Sequence, residues 1–200
     1  MLKLFWYCLD MSEEDQKFVA ESLDELKQLL KRPSVEVELE VFPLAQDVVP
    51  VVRAELSKPL QKTKDPFSAY YFAIRRKNVP RDKCTPLMVY CKPSAAIVKA
   101  AKKQAKERNG VCPHWGYMAD DVLSAVYERG NKHILWHEIL HLFDVDDCYP
   151  LDDPYAGPTC ELPNCIMQYV PSKETVRKWP FLCEKNIKRI QACNEKRTHN

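Results

Sequence analysis

The early part of the chain alternates apolar and polar residues with two different periods, and each period predicts a different element. Residues 3–9 are an apolar run, which predicts a buried first strand. From Ser12 to Pro33 apolar residues recur every three or four positions, which predicts a helix with one buried face. In residues 35–42 valine and leucine alternate with glutamate, which predicts a strand with one buried and one solvated face.

The middle of the chain continues to alternate predicted helices and strands. Two weakly helical segments precede a compact apolar run typical of a central strand, and an alanine- and lysine-rich helix and a further strand follow. In order, these segments are residues 47–57, 67–77, 85–91, 94–109 and 117–127. Gly130 and Asn131 start another helix, which carries three histidines. The alternation of strands and helices predicts an α/β fold class.

The composition changes after the histidine-bearing helix. Residues 144–171 are rich in proline and aspartate and contain three cysteines, so we expect this stretch to be mostly loop. The tail from Ser172 is helical in pattern and is interrupted at Pro180. We therefore predict one domain in two parts: an N-terminal subdomain of residues 1–143 with the sheet and the histidine-bearing helix, and a C-terminal subdomain of residues 144–200.

The composition limits the partners and the cellular setting that we expect. The chain has 200 residues, 46% of them hydrophobic and 29% charged, which suits one globular core. A net charge of +2 predicts no strong attraction to nucleic acid or to a membrane surface. No apolar run approaches the ~20 residues that a membrane span needs, and the stretch Leu4 to Leu9 is too short for a secretory signal. We expect a cytoplasmic monomer.

The sequence HEILHLFDVDD, which begins at His137, carries the candidate chemistry. Residues four apart lie on one face of a helix, so His137 and His141 can point both imidazoles at one ion. Glu138 can act as general base for a water molecule whose pKa zinc lowers toward ~7. Two histidines on a surface helix with a glutamate between them by chance are the alternative, but the other positions of this helix are typical of a core.

The third ligand is expected from the acidic turn that follows, which offers Asp144, Asp146 and Asp147. In the metzincin pattern H-E-x-x-H-x-x-G-x-x-H/D, the third ligand lies ten positions beyond the first histidine. That position is Asp147, a hard oxygen ligand that zinc accepts. Asp144 stands at the glycine position, and aspartate is among the few residues that tolerate a left-handed conformation. Asp146 is expected to face solvent or to support the ligands from behind.

The segment NCIMQYV places Met167 where metzincins carry a methionine turn beneath the metal, although a methionine in ordinary core packing is the alternative. From His137 to Ile190 the chain resembles the archaemetzincin family, whose pattern continues with a cysteine after the third ligand, then C-x-M, then C-x-x-C. Cys148 follows the third ligand, Cys165 begins C-x-M, and Cys183 matches the first cysteine of the final pair.

This resemblance implies a metzincin-like fold: a mixed twisted sheet, an active-site helix and a small C-terminal subdomain. It also implies a zinc peptidase that acts on peptides or proteins, with a second, structural zinc on four cysteines. The chain departs from the family at Asp144 and Asp147, and Asn186 replaces the last cysteine. The loop before the C-x-M segment is longer than in the family and contains Cys160, which could supply the missing thiolate.

Two readings of the cysteines therefore stay open. In one, four thiolates bind a second zinc; in the other, that site is lost and the cysteines are free or disulfide-paired. The four candidate ligands are Cys148, Cys160, Cys165 and Cys183. Tyr169 lies two residues after Met167, where astacin-like metzincins carry a tyrosine that stabilises the oxyanion; a tyrosine of the core or surface is the alternative. His114 and His133 are expected not to bind metal.

Two functions remain in competition at this stage. The first is a zinc-dependent endopeptidase or aminopeptidase-like hydrolase, with the strand in residues 117–127 at the rim of the cleft pairing with an extended peptide. The second is a zinc-binding module without catalysis, which uses the fold to hold a partner. The presence of Glu138 favours the peptidase, because a purely structural site needs no general base.

Overall fold

The computed structural model describes part of the chain, and the fold is given for that part. The described residues are 2–9, 11–50, 54, 87–91, 116–119, 122–126, 132–150, 159–162, 165–168 and 181–198. The helices expected at 67–77 and 94–109 and most of the one expected at 47–57 lie outside these residues, and so do His114 and Tyr169.

A mixed five-stranded sheet forms the centre of the described fold, with the strand order β2-β1-β3-β5-β4. The strands are β1 Leu2–Leu9, β2 Leu39–Pro43, β3 Leu87–Cys91, β4 Gly116–Ala119 and β5 Val122–Val126. The β1 strand pairs in parallel with β2 and β3, and β3 pairs in parallel with β5. The β4 strand is antiparallel to β5 and lies at the edge. With the helices described below, this confirms a mixed α/β class.

The first helix, α1 Glu13–Leu30, begins where the sequence predicts. The side chain of Ser12 accepts a hydrogen bond from the backbone N–H of Asp15 at 3.2 Å and donates one to the Asp15 carboxylate at 2.8 Å. These bonds satisfy an N–H group that the helix itself leaves unpaired. The face predicted to be apolar is buried in the core; it comprises Val19, Leu23, Leu26 and Leu30.

The strand expected at residues 35–42 begins only at Leu39. Val35 and Val37 are buried, and Glu36 and Glu38 are exposed, so the alternation predicted burial correctly. The backbone, however, turns at Glu36, which has a φ of 57°. The N–H groups of Val35 and Glu36 bond the Arg32 carbonyl, each at 2.8 Å, and close the end of α1. These local hydrogen bonds replace the start of the strand.

The single strand expected within residues 117–127 is two strands, β4 and β5, paired antiparallel. Asp120 and Asp121 lie between them in sequence, and aspartate is a residue type that favours turns. The apolar pattern on both sides concealed this turn signal. The correction places β4, rather than β5, at the sheet edge.

The histidine-bearing helix, α2 His133–His141, is fixed on several sides. It packs against β4 and β5. The indole N–H of Trp136 donates to the carbonyl of Ser22 in α1 at 3.0 Å, and its ring packs on Phe181 with ring centroids 5.6 Å apart. Lys132 forms an ion pair with Glu25 of α1. Because a fully buried Trp anchors it, α2 offers a rigid support for its polar face.

The last described helix, α3 Glu184–Thr198, follows Cys183 and contributes Ile190 to the same hydrophobic core. That core also contains Leu4 of β1, Trp136 of α2 and Met167. None of the helices among the described residues is both long and apolar enough to cross a membrane.

Candidate metal centre

The carboxyl end of α2 and the turn after it bring three predicted ligands together. The helix ends at His141, and the Asp144 N–H bonds the His141 carbonyl at 3.0 Å. Asp144 has a φ of 63°, so it adopts the left-handed conformation that the sequence predicts for the glycine position. This sharp exit from the helix turns the chain back, and Asp147 returns to the face that carries His137 and His141.

The ligand atoms of these three residues face one common point. The Oδ1 atom of Asp147 lies 3.0 Å from Nε2 of His137 and 3.6 Å from Nε2 of His141. All three atoms lie within 4.8 Å of one another. Ligands at 2.0–2.2 Å from a tetrahedral zinc are roughly 3.3 Å apart, so the observed spacing suits that ion.

The Nδ1 atoms of the two imidazole rings each contact a backbone carbonyl. Nδ1 of His137 lies 3.1 Å from the Ile166 carbonyl, and Nδ1 of His141 lies 2.8 Å from the Val145 carbonyl. A carbonyl only accepts, so each Nδ1 carries the hydrogen and each neutral ring presents a bare lone pair on Nε2. This is the usual support for histidines that bind a metal.

The donor set suits a cation. Oδ1 of Asp147 is buried and makes no hydrogen bond among the described residues. Two imidazole lone pairs and one carboxylate oxygen facing one point repel one another unless a positive charge lies between them. Nitrogen and oxygen donors in this number also leave a fourth tetrahedral position open, which is the arrangement of catalytic zinc sites.

The charges of this cluster also shift the pKa values of the two histidines. Burial lowers the pKa of His137, but the carboxylates of Asp147 and Glu138 outweigh it and raise that pKa above its ordinary value. Burial, and then the neighbouring His137, lowers the pKa of His141. The cluster thus favours a single positive charge close to its carboxylates.

Glu138 lies beside this cluster with only 7% of its surface exposed. Burial raises the pKa of Glu138 to about 7, against the opposing effect of His137. A carboxylate with a pKa near neutrality can accept a proton in one step and return it in the next. The sequence predicts this residue as the base, and a pKa near neutrality is compatible with that role.

A tight turn at residues 165–168 lies directly against α2. The Gln168 N–H bonds the Cys165 carbonyl at 3.0 Å, and Met167 is fully buried. The Ile166 carbonyl contacts Nε2 of His133 at 2.7 Å in addition to Nδ1 of His137. His133 is thus directed at this turn and lies outside the candidate ligand cluster, and burial lowers its pKa to about 3.

A second cluster brings together the thiols of four predicted cysteines. The Sγ atom of Cys148 lies 3.7 Å from that of Cys165 and 3.8 Å from that of Cys183. Cys160 joins them, and all four sulfur atoms lie within 4.8 Å of one another. Four thiolates at 2.3 Å from a tetrahedral zinc are roughly 3.8 Å apart, whereas a disulfide bond measures about 2.0 Å. The four thiols are free, and their spacing matches the zinc geometry.

The cluster also favours a thiolate, the form that binds metal. The hydrogen bond between the Cys148 and Cys165 sulfur atoms lowers the pKa of Cys165 to about 6. The same hydrogen bond, together with burial, raises the pKa of Cys148.

Sequence reasoning missed Tyr149. Its ring stacks on His137, with ring centroids 6.4 Å apart and an interplanar angle of 20°. Burial raises the pKa of Asp147, but its contact with His137, the charges of the histidines and a hydrogen bond from Tyr149 outweigh it and lower that pKa. The sequence offered one signal for Tyr149, which is its position two residues after the predicted third ligand.

Asp146 supports the turn from behind, which is one of the two roles expected for it. Its Oδ1 atom accepts a hydrogen bond from Arg189 at 2.7 Å, and its Oδ2 atom lies 3.3 Å from the Lys185 ammonium. Both partners lie on α3. The sequence could not show that these basic side chains contact Asp146, because they lie about forty positions away in the chain.

Fold and site together define a mixed α/β protein with two candidate metal-binding clusters. No family model matches the sequence, and no curated protein matches it. Among solved structures, the fold is similar to the archaemetzincin of Methanopyrus kandleri, with a TM-score of 0.51 and 13% sequence identity. The match covers 97% of this chain and 96% of that chain. At this identity the likeness shows a common fold.

Proposed function

We propose that the protein is a zinc-dependent peptidase. The observation that supports this most directly is the convergence of Nε2 of His137, Nε2 of His141 and Oδ1 of Asp147 beside the buried Glu138. The archaemetzincin fold and the resemblance of residues 137–190 to that family point in the same direction. A site built only for structure would be closed by a fourth ligand and would need no buried base.

In this proposal His137, His141 and Asp147 hold the catalytic zinc. The ion supplies Lewis-acid polarisation of the scissile carbonyl and lowers the pKa of water. Glu138 takes a proton from the attacking water and passes it to the amine that leaves. The backbone carbonyls of Ile166 and Val145 keep both imidazoles in the tautomer that presents Nε2.

Two further parts of the site belong to the proposal. Met167 forms the floor beneath the metal, a role supported by its full burial in the turn that contacts His137 through Ile166. Cys148, Cys160, Cys165 and Cys183 bind a second, structural zinc, a role supported by their sulfur spacing. This second ion fixes the turn that contains Asp147, because Cys148 is the next residue in the chain.

The substrate is an extended peptide that pairs with β4. Among the described strands, β4 lies at the edge of the sheet and packs against α2, which carries the proposed ligands. A strand at an edge offers unpaired backbone groups, and an extended peptide can add to it as a further strand.

The decisive experiment incubates the zinc-loaded full chain with a mixed peptide library and identifies cleaved bonds by mass spectrometry. We expect cleavage that a chelator abolishes and added zinc restores. If the chain binds zinc stoichiometrically but cleaves nothing, the peptidase is excluded and the non-catalytic zinc-binding module remains.

A further inference from the structure

Asn186 of α3 lies between the two clusters and contacts both sides of the acidic turn. Its Nδ2 atom donates to the Asp146 carbonyl at 3.1 Å and to the Sγ atom of Cys148 at 3.4 Å. Asp146 and Cys148 are the residues immediately before and after Asp147. One amide nitrogen therefore connects the two neighbours of the proposed third ligand.

The Asn186 amide is buried, so water does not compete for its contacts to the turn. The residue has no exposed surface, and both N–H groups of its amide have acceptors. Removing this donor takes a partner from the Asp146 carbonyl and leaves the Cys148 sulfur with its cysteine contacts, among them Cys165 and Cys183. The Oδ1 atom of Asn186 is buried without a hydrogen bond among the described residues. The two contacts of Nδ2 therefore account for the position of this side chain.

The other contacts from α3 to this turn differ in kind. Arg189 donates to the Asp144 carbonyl at 2.9 Å and to the Asp146 carboxylate at 2.7 Å, and Lys185 pairs with the same carboxylate. These side chains are 38% and 56% exposed, so solvent weakens their ion pairs. None of these contacts involves a cysteine of the cluster. Arg189 therefore serves as the natural control for Asn186.

We propose that Asn186 is a positioning residue that couples the two metal sites. A metal ion on the cysteine cluster fixes Cys148, the amide of Asn186 holds the Asp146 carbonyl at a set distance from that sulfur, and Asp147 between them is held toward the histidines. Filling the cysteine cluster thus raises the metal affinity of the His137, His141 and Asp147 site. By linkage, filling the histidine site raises the affinity of the cysteine cluster by the same factor.

The inference rests on the part of the proposed function in which both clusters bind metal, and it does not depend on peptide hydrolysis. Its test uses the full chain, with Cd²⁺ to fill the thiolate cluster and Co²⁺ as the visible probe of the histidine site. Co²⁺ is titrated with and without prior Cd²⁺, and its d–d absorption reports affinity and coordination. In the unmodified chain we expect Cd²⁺ to tighten Co²⁺ binding by roughly 5- to 150-fold, the usual range of coupling between sites.

Asn186→Leu keeps the size of the side chain and removes both donors. We expect each cluster of this variant to bind its own metal, while the coupling factor falls toward one and the Co²⁺ spectrum no longer changes with Cd²⁺. Arg189→Ala, one turn further along α3, should keep most of the coupling. An unchanged factor in Asn186→Leu overturns the proposal.

The unmodified chain provides a second test that needs no variant to fold. The increase in Cd²⁺ affinity caused by Co²⁺ must equal the increase in Co²⁺ affinity caused by Cd²⁺. Absence of coupling, or a cysteine cluster that binds no Cd²⁺, also overturns the inference. If both metals bind with coupling but no peptide is cleaved, the peptidase proposal fails and the role of Asn186 stands.

Discussion

His137 and Asp147 face each other through Nε2 and Oδ1, 3.0 Å apart, although ten positions separate them in the chain. The left-handed Asp144 makes this approach possible, because it turns the chain back at the end of α2. Tyr149 also contacts the Asp147 carboxylate through a hydrogen bond. The geometry supports the proposal that Asp147 is the third ligand and leads to the first prediction.

Asp147→Ala should weaken metal binding at the histidine site by at least about 100-fold, since loss of a ligand exceeds the 10–100-fold typical of a supporting residue. Asp147→His should retain binding, because imidazole suits zinc equally well. The matched control is Asp146→Ala, which removes only partly exposed ion pairs to α3 and should change affinity little. Metal titration of the three variants measures this, and a larger effect at Asp146 would place the third ligand elsewhere.

Glu138→Gln should bind catalytic zinc with little change and lose peptide hydrolysis by about 10²- to 10⁴-fold, because the amide cannot accept the proton. The measurement combines zinc content by elemental analysis with the rate of cleavage of a peptide found in the library. Glu161→Gln is a suitable control, since this exposed carboxylate lies outside both clusters. Full activity in Glu138→Gln would exclude the proposed mechanism.

The sequence predicted the parts of the fold and site that depend on local pattern. Ser12 and the apolar spacing after it defined α1, and the spacing of His137 and His141 defined the candidate metal-binding face of α2. The alternation at residues 35–42 predicted burial correctly but not backbone conformation, because hydrogen bonds to Arg32 turn the chain at Glu36.

The remaining features depend on contacts between distant segments, which periodicity does not encode. Asn186 reaches the turn forty positions earlier, so its role emerged only from the packing of α3. Tyr149 lies near the third ligand in sequence, but its stacking on His137 depends on the reversal of the chain at Asp144. The candidate role of Tyr169 followed from its position two residues after Met167, where astacin-like metzincins carry a tyrosine, and that residue lies outside the described part of the chain.

Tyr149→Phe should keep the ring stacked on His137 and remove the hydrogen bond to Asp147. We expect metal affinity at the histidine site to fall by about 10-fold or more, as for other residues that orient a ligand. The absorption of bound Co²⁺ should also shift, because the Asp147 carboxylate loses a contact that orients it. Tyr169→Phe, assayed in parallel, tests the competing assignment: if it alone alters Co²⁺ absorption or hydrolysis, Tyr149 has no role at the metal.

The cysteine cluster leads to the last prediction. Elemental analysis of the reduced protein should find two zinc ions per chain, one of them on the cluster. Because a structural zinc contributes directly to folding, Cys160→Ser should lower the zinc content to one and the stability of the chain, even though it changes only one atom. Cys193→Ser is the control, since Cys193 lies on α3 outside the cluster and should leave both quantities unchanged. The apparent melting temperature with and without added zinc measures the stability. One zinc in the unmodified chain, or equal behaviour of the two variants, would mean that Cys160 does not replace the thiolate lost at Asn186.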